Sequence, residues 1–413
     1  MSAAREITTT HDAAVVGAGP VGLTAAILLA SAGARVILFG PADANAGDTR
    51  TSALFSGSIT ALERAGVWPA LRAVAAPMRA IRIVDRLSRH DYPSVVEFDS
   101  REVGDGPFGY NIPNPDLVRA LEARFAKFDH ATRRTQTVVA IEHAADHVRL
   151  SGESGKPARV RLVVGADGSH SRARAAAGIA ASGWEYGQTA IATRIAHETP
   201  HDDVSIEVHL PGGPLATVPL PGGSSAIVWL ERPDAADRLC GLGDDAFAAR
   251  LEAELAGGLC GIAMAGPRGR FPVRGLTVTT LAARRTALVG EAGHVLPPIG
   301  AQGLNLSLCD AAWIAGIAGQ ALARGADPGA EPALAAYRRA RAGDAMSRRA
   351  ASDLLNRSLL FDDAALRGLR QIGLSMLVAF GPLRRALMRR GIARARDLPP
   401  AAWAGQSTDV AHH

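Results

Sequence analysis

The apolar and polar positions at the start of the chain predict alternating strands and helices. Residues Asp12–Gly17 are almost wholly apolar, as in a strand that is buried on both faces of a parallel sheet. The mostly apolar stretch from about Pro20 to Ala32 predicts a buried helix, since proline is tolerated in a first turn. Gly33 ends this helix, and Arg35–Phe39 predicts a second strand. The chain therefore begins with a β-α-β unit, which indicates an α/β fold.

Three glycines in the turn after the first strand have the spacing G-x-G-x-x-G. Gly17 permits a tight turn, Gly19 lets the backbone approach a pyrophosphate, and Gly22 lets helix and strand pack closely. The N-terminus of the following helix favours phosphate through its free N–H groups and its dipole. The alternative is a glycine-rich turn without a ligand, but the strand, helix and second strand all occur at the expected spacing. We name residues 17–22 the glycine turn and predict that it binds a dinucleotide.

One usual part of this site is missing. An acidic residue normally ends the second strand and binds the adenosine ribose. This chain has Gly40 at that place, and Asp43 follows three residues later in a loop. Whether Asp43 replaces the acid stays open at this point, as does the affinity for the nucleotide.

A second segment repeats the pattern of a strand, a turn and a helix. The strand ARVRLVVGAD ends at Asp167 and Gly168, and SHSRARAAAGI begins a helix. Parallel α/β sheets bind ligands at the carboxyl ends of their strands. Asp167 is therefore a candidate to bind a cofactor or to pair with a nearby arginine such as Arg174. The alternative is a purely structural turn. We name residues 165–174 the Asp167 turn.

A third segment carries a carboxylate and a stiff loop. A strand is predicted over Thr286–Gly290, Glu291 follows it, and Pro297 and Pro298 stiffen the loop beyond. A carboxylate at a strand end can accept hydrogen bonds from polyol hydroxyls such as the ribityl chain of a flavin. We name residues 290–302 the proline loop. The alternative is a proline- and glycine-rich loop before a core helix.

The residues after the prolines predict how the flavin ring would be held. Gly300 and Gly303 leave backbone amides unobstructed, and a long helix begins around Gly303, Leu304 and Asn305. Its N-terminal dipole would stabilise the negative charge of a reduced flavin. Cofactor contacts are therefore predicted for Pro298, Gly300 and the three residues that begin this helix.

Two further features lie between the glycine turn and the Asp167 turn. Arg50, in the segment DTRTSAL, is a candidate to bind the cofactor phosphates, although it could equally be a surface arginine. The segment PFGYNIPNPDLVRALEARF predicts a loop that enters a helix, with Asn114 as N-cap and Pro115 as the first helical residue.

The chain changes character between about Trp184 and Arg274. Three stretches alternate between apolar and polar residues and are interrupted by PGG turns, which predicts an antiparallel sheet with hairpins. No catalytic triad and no metal-ligand spacing is recognisable, so we predict no metal site. His201 and His209 are interpreted as structural or solvated histidines.

Charge and cysteine content limit the partners. The 413-residue chain has a net charge of +5, and from Glu331 onward it holds 14 Arg against seven acidic residues. The segment 365–396 combines paired arginines with large apolar residues, which suits an anionic membrane surface but also a solvated face, a core cap or a subunit contact. Nucleic acid is not favoured, because no stacking aromatics accompany the arginines. Three cysteines without metal spacing, and no stretch that we expect to span a bilayer, favour the cytoplasm.

Together these motifs resemble the class A flavoprotein aromatic hydroxylases, and most of all their ubiquinone-biosynthesis branch. The resemblance extends from about residue 12 to 360 and rests on the glycine turn and on the following motifs: DTRTSAL, LERAGVWPAL, GADGSHSRAR, WEYGQTA, PGGPLATVPL, PPIGAQGLNLSLCDA and ASDLLNR. The departures are Gly40 for the usual acid, and Glu291 with Gly293 in a motif usually written G-D-A-A-H.

The resemblance implies a discontinuous Rossmann-like FAD-binding domain with an inserted antiparallel sheet domain for the substrate and a helical C-terminal segment. We assign residues 10–80, 105–182 and 275–345 to the first domain and 81–104 and 183–274 to the second. Residues 346–413 form the C-terminal segment.

The resemblance also implies a reaction. FAD would react with O2, after reduction by NAD(P)H or another donor, and a flavin hydroperoxide would hydroxylate the aromatic ring of a polyprenylated ubiquinone precursor. Such an enzyme would act at the inner face of the cytoplasmic membrane. Two alternatives remain: a hydroxylase of a small soluble phenol, and a non-catalytic FAD-binding member of a biosynthetic complex. The hydroxylated carbon, the electron donor, the oligomeric state and the catalytic side chains stay open.

Overall fold

We analysed a computed structural model of the chain, which describes residues 11–42, 48–87, 94–255, 257–343, 376, 380–391 and 398–400. Asp43, the ASDLLNR motif and most of the predicted C-terminal segment lie outside the described residues. The fold is α/β and is organised around three sheets.

The first sheet carries the predicted β-α-β unit. Its main path is β18-β19-β11-β1-β2-β8, and β9 and β10 extend it beside β11. The strands β1, β2, β8, β11 and β19 pair in parallel, so their carboxyl ends lie along one edge. The strands are β1 (His11–Val16), β2 (Val36–Phe39), β8 (Ala131–Arg134), β9 (Val138–His143), β10 (Val148–Gly152), β11 (Ala158–Gly165), β18 (Ala282–Ala283) and β19 (Thr286–Leu288).

Helices cover this sheet, and two of them form its central core. Helix α1 (Pro20–Ser31) is buried along nearly its whole length and packs against α8 (Gln302–Ala323) and α4 (Asn114–Phe125). The remaining helices of this part are α2 (Ser56–Arg64), α3 (Trp68–Leu71), α5 (Arg172–Ala176) and a helix over residues 331–343. Helix α8 is long and apolar enough to cross a membrane, contrary to our expectation, but 72% of its apolar window is buried within the protein. Its apolar character is therefore explained by the core.

The second sheet has the order β20-β17-β12-β15-β14-β13-β5-β6, with β16 beside β12. It is antiparallel as predicted, except that β13 and β5 pair in parallel. The helices α6 (Pro233–Gly241), which was not predicted, and α7 (Asp244–Leu255) pack on one face, which we name the outer face. The strands are β5 (Ala80–Asp85), β6 (Ser94–Asp99), β12 (Ala181–Ala196), β13 (Val204–Leu210), β14 (Gly213–Leu220), β15 (Ser224–Glu231), β16 (Ala263–Met264), β17 (Gly269–Val278) and β20 (His294–Val295).

A small third sheet corrects the prediction around Asn114. The strands β3 (Thr51–Phe55), β7 (Gly109–Pro113) and β4 (Ala76–Met78) pair where a loop was expected. Pro113 precedes helix α4, and the Asn114 side chain makes no cap. Instead, Asn114 accepts a hydrogen bond from Ser52 at 2.6 Å, because the pairing of β3 with β7 brings these residues together. The N-cap prediction was wrong for this reason.

The domain boundaries given above stay a prediction. Their proposed inserted parts, residues 81–104 and 183–274, supply most of the second sheet. Of the C-terminal segment, the structure describes a helix over Gly381–Gly391.

Candidate functional site

The glycine turn lies against the Asp167 turn at the carboxyl edge of the parallel strands. A Cβ atom on Gly17 would lie 2.2 Å from the carbonyl oxygen of Ala166, and one on Gly22 would lie 1.9 Å from the carbonyl oxygen of Gly17. No side chain fits at either position. Gly17 also has φ +111°, which only glycine adopts readily. These two glycines are therefore required by backbone packing.

The third glycine of the turn has a different environment. A Cβ atom on Gly19 would meet no described atom within 4 Å. Gly19 precedes the first turn of α1, whose N–H groups have no intrahelical partners. This combination of free space, free donors and a positive dipole end fits a pyrophosphate. The proline loop also comes close to the start of α1, since a Cβ atom on Gly290 would lie 3.4 Å from the side chain of Val21.

The end of the second strand cannot hold an acidic side chain. A Cβ atom on Gly40 would lie 2.7 Å from the backbone nitrogen of Ala18. The Arg133 guanidinium donates to the Gly40 carbonyl oxygen at 2.7 Å and to Glu122 at 3.2 Å. The absence of an acid at position 40 is therefore part of the packing, and an arginine–glutamate pair lies next to it.

Asp167 is engaged within its own turn. Its carboxylate accepts hydrogen bonds from the Ser171 hydroxyl and from the backbone N–H groups of Arg172 and Ala173. The suggested pairing with Arg174 was wrong, because helix α5 turns its N-terminal donors toward the carboxylate. The Arg174 guanidinium instead donates to the carbonyl oxygen of Ala292 at 3.0 Å, which ties the Asp167 turn to the proline loop.

The proline loop presents some of its predicted residues to solvent. Glu291, Pro298 and Gly300 are exposed, and Gly303 has no neighbour within 4 Å of its virtual Cβ atom. Gly300 and Ala301 have φ values of +63° and +53°, so the loop turns sharply before α8 begins. These residues are thus placed where a ligand at the N-terminus of α8 would lie. Their cofactor contacts stay predictions.

Leu304 and Asn305, at the start of α8, connect the proline loop to neighbouring parts of the protein. The Asn305 amide accepts hydrogen bonds from the Phe55 N–H at 2.9 Å and the Ser58 hydroxyl at 2.6 Å. It donates to the carbonyl oxygens of Ala53 and Ala301. Leu304 packs against the main core. The Asn305 side chain is therefore used to join α8 to β3, and a direct contact to the cofactor would fall to its backbone.

A buried cluster of charged side chains next to the proline loop was not predicted from the sequence. The Asp310 carboxylate accepts hydrogen bonds from His294 at 2.6 Å and from Arg341 at 2.7 Å. Asp310 and Arg341 are 0% and 1% exposed. Burial raises the pKa of Asp310, but the charges of Arg341 and His294 outweigh it and leave that pKa below its ordinary value. The cluster joins the proline loop, α8 and the 331–343 helix, and no local spacing signalled it.

Arg50 contacts Asp48 in its own segment and Phe271 of the second sheet. It donates two hydrogen bonds to Asp48, at 2.8 and 2.9 Å, and its guanidinium lies 5.0 Å from the ring centre of Phe271 on β17. The hydrogen bond to Asp48 raises the pKa of Arg50, and the charge of Glu291 adds to this. Arg50 is thus near the proline loop, as expected for a residue of the site, although its contact with phosphate stays a prediction.

The face of the second sheet opposite α6 and α7, which we name the inner face, is apolar beside the proline loop. Ile299 of the loop belongs to one buried cluster with side chains of β12, β15 and β17. The members of this cluster, which we name the inner lining, are Ala190, Leu230, Val273, Ile299, Leu87, Tyr186, Val228 and Phe271. An apolar wall next to a loop with free backbone amides suits an aromatic ligand and excludes water from it.

Metal chemistry finds no support in the described ranges, where no group of three or more His, Cys, Asp or Glu could hold an ion. Nε2 of His201 donates a hydrogen bond to the Leu220 carbonyl oxygen, 3.0 Å away. His209 is buried beside Glu207, 3.1 Å away. None of the three cysteines, which all lie within the described residues, forms a disulfide.

Comparison with known families decides what this site binds. The family described as "FAD binding domain" matches residues 10–350. The chain belongs to this FAD-binding family. FAD is therefore the cofactor of the site, and the free space at Gly19, the N-termini of α1 and α8 and the apolar inner lining fit its pyrophosphate and ring.

Comparison with individual proteins extends this result. The chain is 34% identical over 402 residues to "Ubiquinone hydroxylase UbiL" of Rhodospirillum rubrum, covering 95% of this chain and 92% of that protein. It is 28% identical over 389 residues to "3-demethoxyubiquinol 3-hydroxylase" of Escherichia coli, covering 92% and 97%. The crystal structure of p-nitrophenol 4-monooxygenase PnpA from Pseudomonas putida superposes with a TM-score of 0.74 at 20% identity, covering 96% and 99%. This last likeness concerns the fold, and it confirms the predicted fold class.

Proposed function

We propose that this protein is an FAD-dependent monooxygenase that hydroxylates the aromatic ring of a polyprenylated ubiquinone precursor, with O2 and NAD(P)H as co-substrates. Relatives that match nearly the whole chain are named ubiquinone hydroxylases. When bound, FAD supplies the oxygen activation for such a reaction. The observation that carries the proposal is the apolar inner lining beside the proline loop.

The inner lining supports an apolar aromatic substrate. Its residues are aliphatic or aromatic, and Tyr186 has the only hydroxyl among them. They contact the loop through Ile299 from three strands of the second sheet. A ring held between this lining and the flavin would be shielded from water, which favours transfer of oxygen to the ring over loss of reducing equivalents.

The test uses a deletion strain and the purified protein. The strain is expected to accumulate a quinone precursor that lacks one ring hydroxyl, as measured by lipid extraction and mass spectrometry, and the position of that hydroxyl identifies the carbon. The purified protein should be yellow and should hydroxylate a prenylated phenol with NAD(P)H and O2. Unchanged quinone in the strain would overturn the proposal. Turnover of short phenols alone would favour a soluble aromatic substrate, and bound flavin without hydroxylation would favour a non-catalytic role.

We further propose that the Gly381–Gly391 helix brings the enzyme to the inner face of the cytoplasmic membrane. Met388 anchors this helix among Phe98, Phe108 and their neighbours, and Arg384 pairs with Glu102 at 2.8 Å. The apolar residues Met376, Phe380 and Leu383 are 55%, 58% and 43% exposed. A helix that is fixed to the protein on one side, with exposed apolar residues and arginines, suits an anionic lipid surface.

Vesicle sedimentation tests this membrane contact. The full-length enzyme is expected to bind phosphatidylglycerol vesicles more tightly than phosphatidylcholine vesicles, and the double variant Phe380→Ser/Leu383→Ser should lose most of this binding. The exposed Val139→Ser on β9 serves as the control, since Val139 is 49% exposed on the first sheet. Equal sedimentation of the wild type and the double variant would contradict the proposal.

A further inference from the structure

Several buried polar atoms have no hydrogen-bond partner within the described part of the chain, and two of them lie near the turn over residues 212–214. They are Oε1 of Gln188 and Nδ1 of His209. Gln188 is 3% exposed and His209 is 4% exposed, so water does not reach these atoms freely. Buried polar atoms are nearly always paired, because a lost hydrogen bond to water is otherwise not replaced. Two such atoms beside the apolar inner lining therefore point to a ligand.

The hydrogen bond of the Gln188 amide determines whether its unpartnered atom is a donor or an acceptor. Its Nε2 donates to the carbonyl oxygen of Gly212 at 3.0 Å, which leaves Oε1 as an acceptor. The amide also lies near Leu230 of the inner lining. A Cβ atom on Gly213 would be 2.7 Å from Nε2 of Gln188 and 2.8 Å from Cβ of Leu230.

The free atom of His209 is also an acceptor. Its Nε2 lies 3.1 Å from a carboxylate oxygen of Glu207. A carboxylate only accepts, so Nε2 carries the proton, and in the neutral ring Nδ1 keeps its lone pair. Val208 and Leu210 point into the core of the outer face, which places His209 between them on the inner face.

The register of the sheet brings the two acceptors to the same turn. His209 pairs with Pro214 on β14, and Gln188 binds the adjoining Gly212. On the other side His209 pairs with Asp85 on β5, and Leu87 beyond it belongs to the inner lining. The two acceptors therefore flank residues 212–214 at the border of the apolar wall.

We propose that Gln188 and His209 accept hydrogen bonds from ring hydroxyls of the substrate and thereby select a neutral phenol. Each acceptor takes its own donated hydrogen, and a phenolic O–H, which donates one, is the donor that an aromatic hydroxylase substrate offers. The Glu207 and Asp85 carboxylates beside His209 disfavour an anionic substituent such as a benzoate group. A hydroxyl that is fixed at this turn determines which ring carbon faces the flavin. This inference rests on the proposed hydroxylase function and specifies its substrate.

The experiment compares 2-geranylphenol with its methyl ether, which lacks the donor. The wild-type holoenzyme is expected to prefer the phenol by at least about 100-fold in kcat/KM, because a site built around a hydroxyl rejects analogues without it. Because the single hydroxyl donates to one acceptor, the preference should fall at least about 10-fold, mainly through the phenol, in at least one of Gln188→Met and His209→Phe. The dissociation constant of each compound, measured from the absorbance change of bound FAD, should follow the same order.

Trp229→Phe is the matched control. It also removes an unpartnered buried atom, the indole Nε1, but Trp229 packs against Phe247 on the outer face. The Trp229→Phe variant should prefer the phenol over its methyl ether by the same factor as the wild type. If both site variants keep the full preference, the inference is wrong, while hydroxylation itself would still support the proposed function. If neither compound is hydroxylated or bound by the wild type, the proposed function fails first. Both variants are needed because the single hydroxyl can use either acceptor, and the absorbance of bound FAD shows whether each variant is folded.

Discussion

The two sides of the candidate site are built by different means. On the FAD-binding side, backbones approach so closely that Gly17 and Gly22 tolerate no side chain, and Asn305 and Asp310 tie the loops together through buried hydrogen bonds. On the inner face of the second sheet, side chains from distant strands form an apolar wall with only a few polar atoms. The FAD-binding side is thus fixed by the backbone, and the inner face, where we propose that the substrate binds, by the choice of side chains.

This difference teaches where sequence change is tolerated. A substitution on the FAD-binding side either places a side chain against the backbone or leaves a buried charge without its partner, so it should destabilise the fold. A change on the inner face alters volume or polarity in a wall that borders a ligand, so it should alter selectivity while FAD still binds. One fold can serve different substrates in this way.

The largest effect is expected from Gly22→Val. Its Cβ atom would lie 1.9 Å from the Gly17 carbonyl oxygen, so α1 cannot pack on β1 and the protein should fail to fold, as measured by circular dichroism of the purified chain. Gly19→Val is the matched control, because it meets nothing within 4 Å. It should fold normally but bind FAD at least about 10-fold more weakly, since its side chain obstructs the pyrophosphate. Equal behaviour of the two variants would contradict the assigned roles.

Asp310→Asn should destabilise the protein by about 3–5 kcal/mol, because it leaves Arg341 buried without its carboxylate. Urea unfolding of the holoenzyme measures this. Asp234→Asn provides the comparison, since Asp234 and Arg238 form an exposed pair with side chains that are 67% and 71% accessible. This control should change stability by less than about 0.5 kcal/mol. A similarly small loss of stability in Asp310→Asn would mean that the buried cluster of Asp310, His294 and Arg341 does not stabilise the FAD-binding side.

The same cluster predicts a dependence on acid. The pKa of Asp310 is lowered by folding from an ordinary value of 3.8, so its contribution is complete above that pH. It is lost as the pH falls through the lower folded value. The stability difference between the wild type and Asp310→Asn should therefore stay constant above pH 3.8 and shrink below it. Urea midpoints measured in steps through this range test the sign, and a difference that grows in acid would refute it.

The smallest effect is expected on the inner face. Val228→Phe should raise KM for a prenylated phenol by about 10-fold through lost space, with FAD affinity within about twofold of the wild type. Steady-state kinetics and flavin titration measure the two quantities. Val139→Phe adds the same volume at an exposed position on β9 and should change neither. A parallel loss of FAD affinity in Val228→Phe would break the distinction between the two sides.

Features that are local in the chain were predictable. The glycine turn, the strands β1 and β19 and the helix α1 follow from short-range spacing, because their function depends on backbone geometry within a few residues. The N-cap prediction for Asn114 failed because a partner 62 residues away, Ser52, binds its side chain. The pairing of Asp167 with Arg174 failed because the donors of a short helix were nearer.

By itself, the sequence determined the α/β class and the flavin family, and it predicted three segments that bind the cofactor, since each of these features is encoded by consecutive residues. Only the tertiary structure decided that Gly40 has no room for a side chain, that Asp310 joins His294 to Arg341, and that Gln188 and His209 flank one turn. These facts depend on contacts between residues far apart in the chain. The packing of strands and helices creates such contacts, and local spacing carries no record of them.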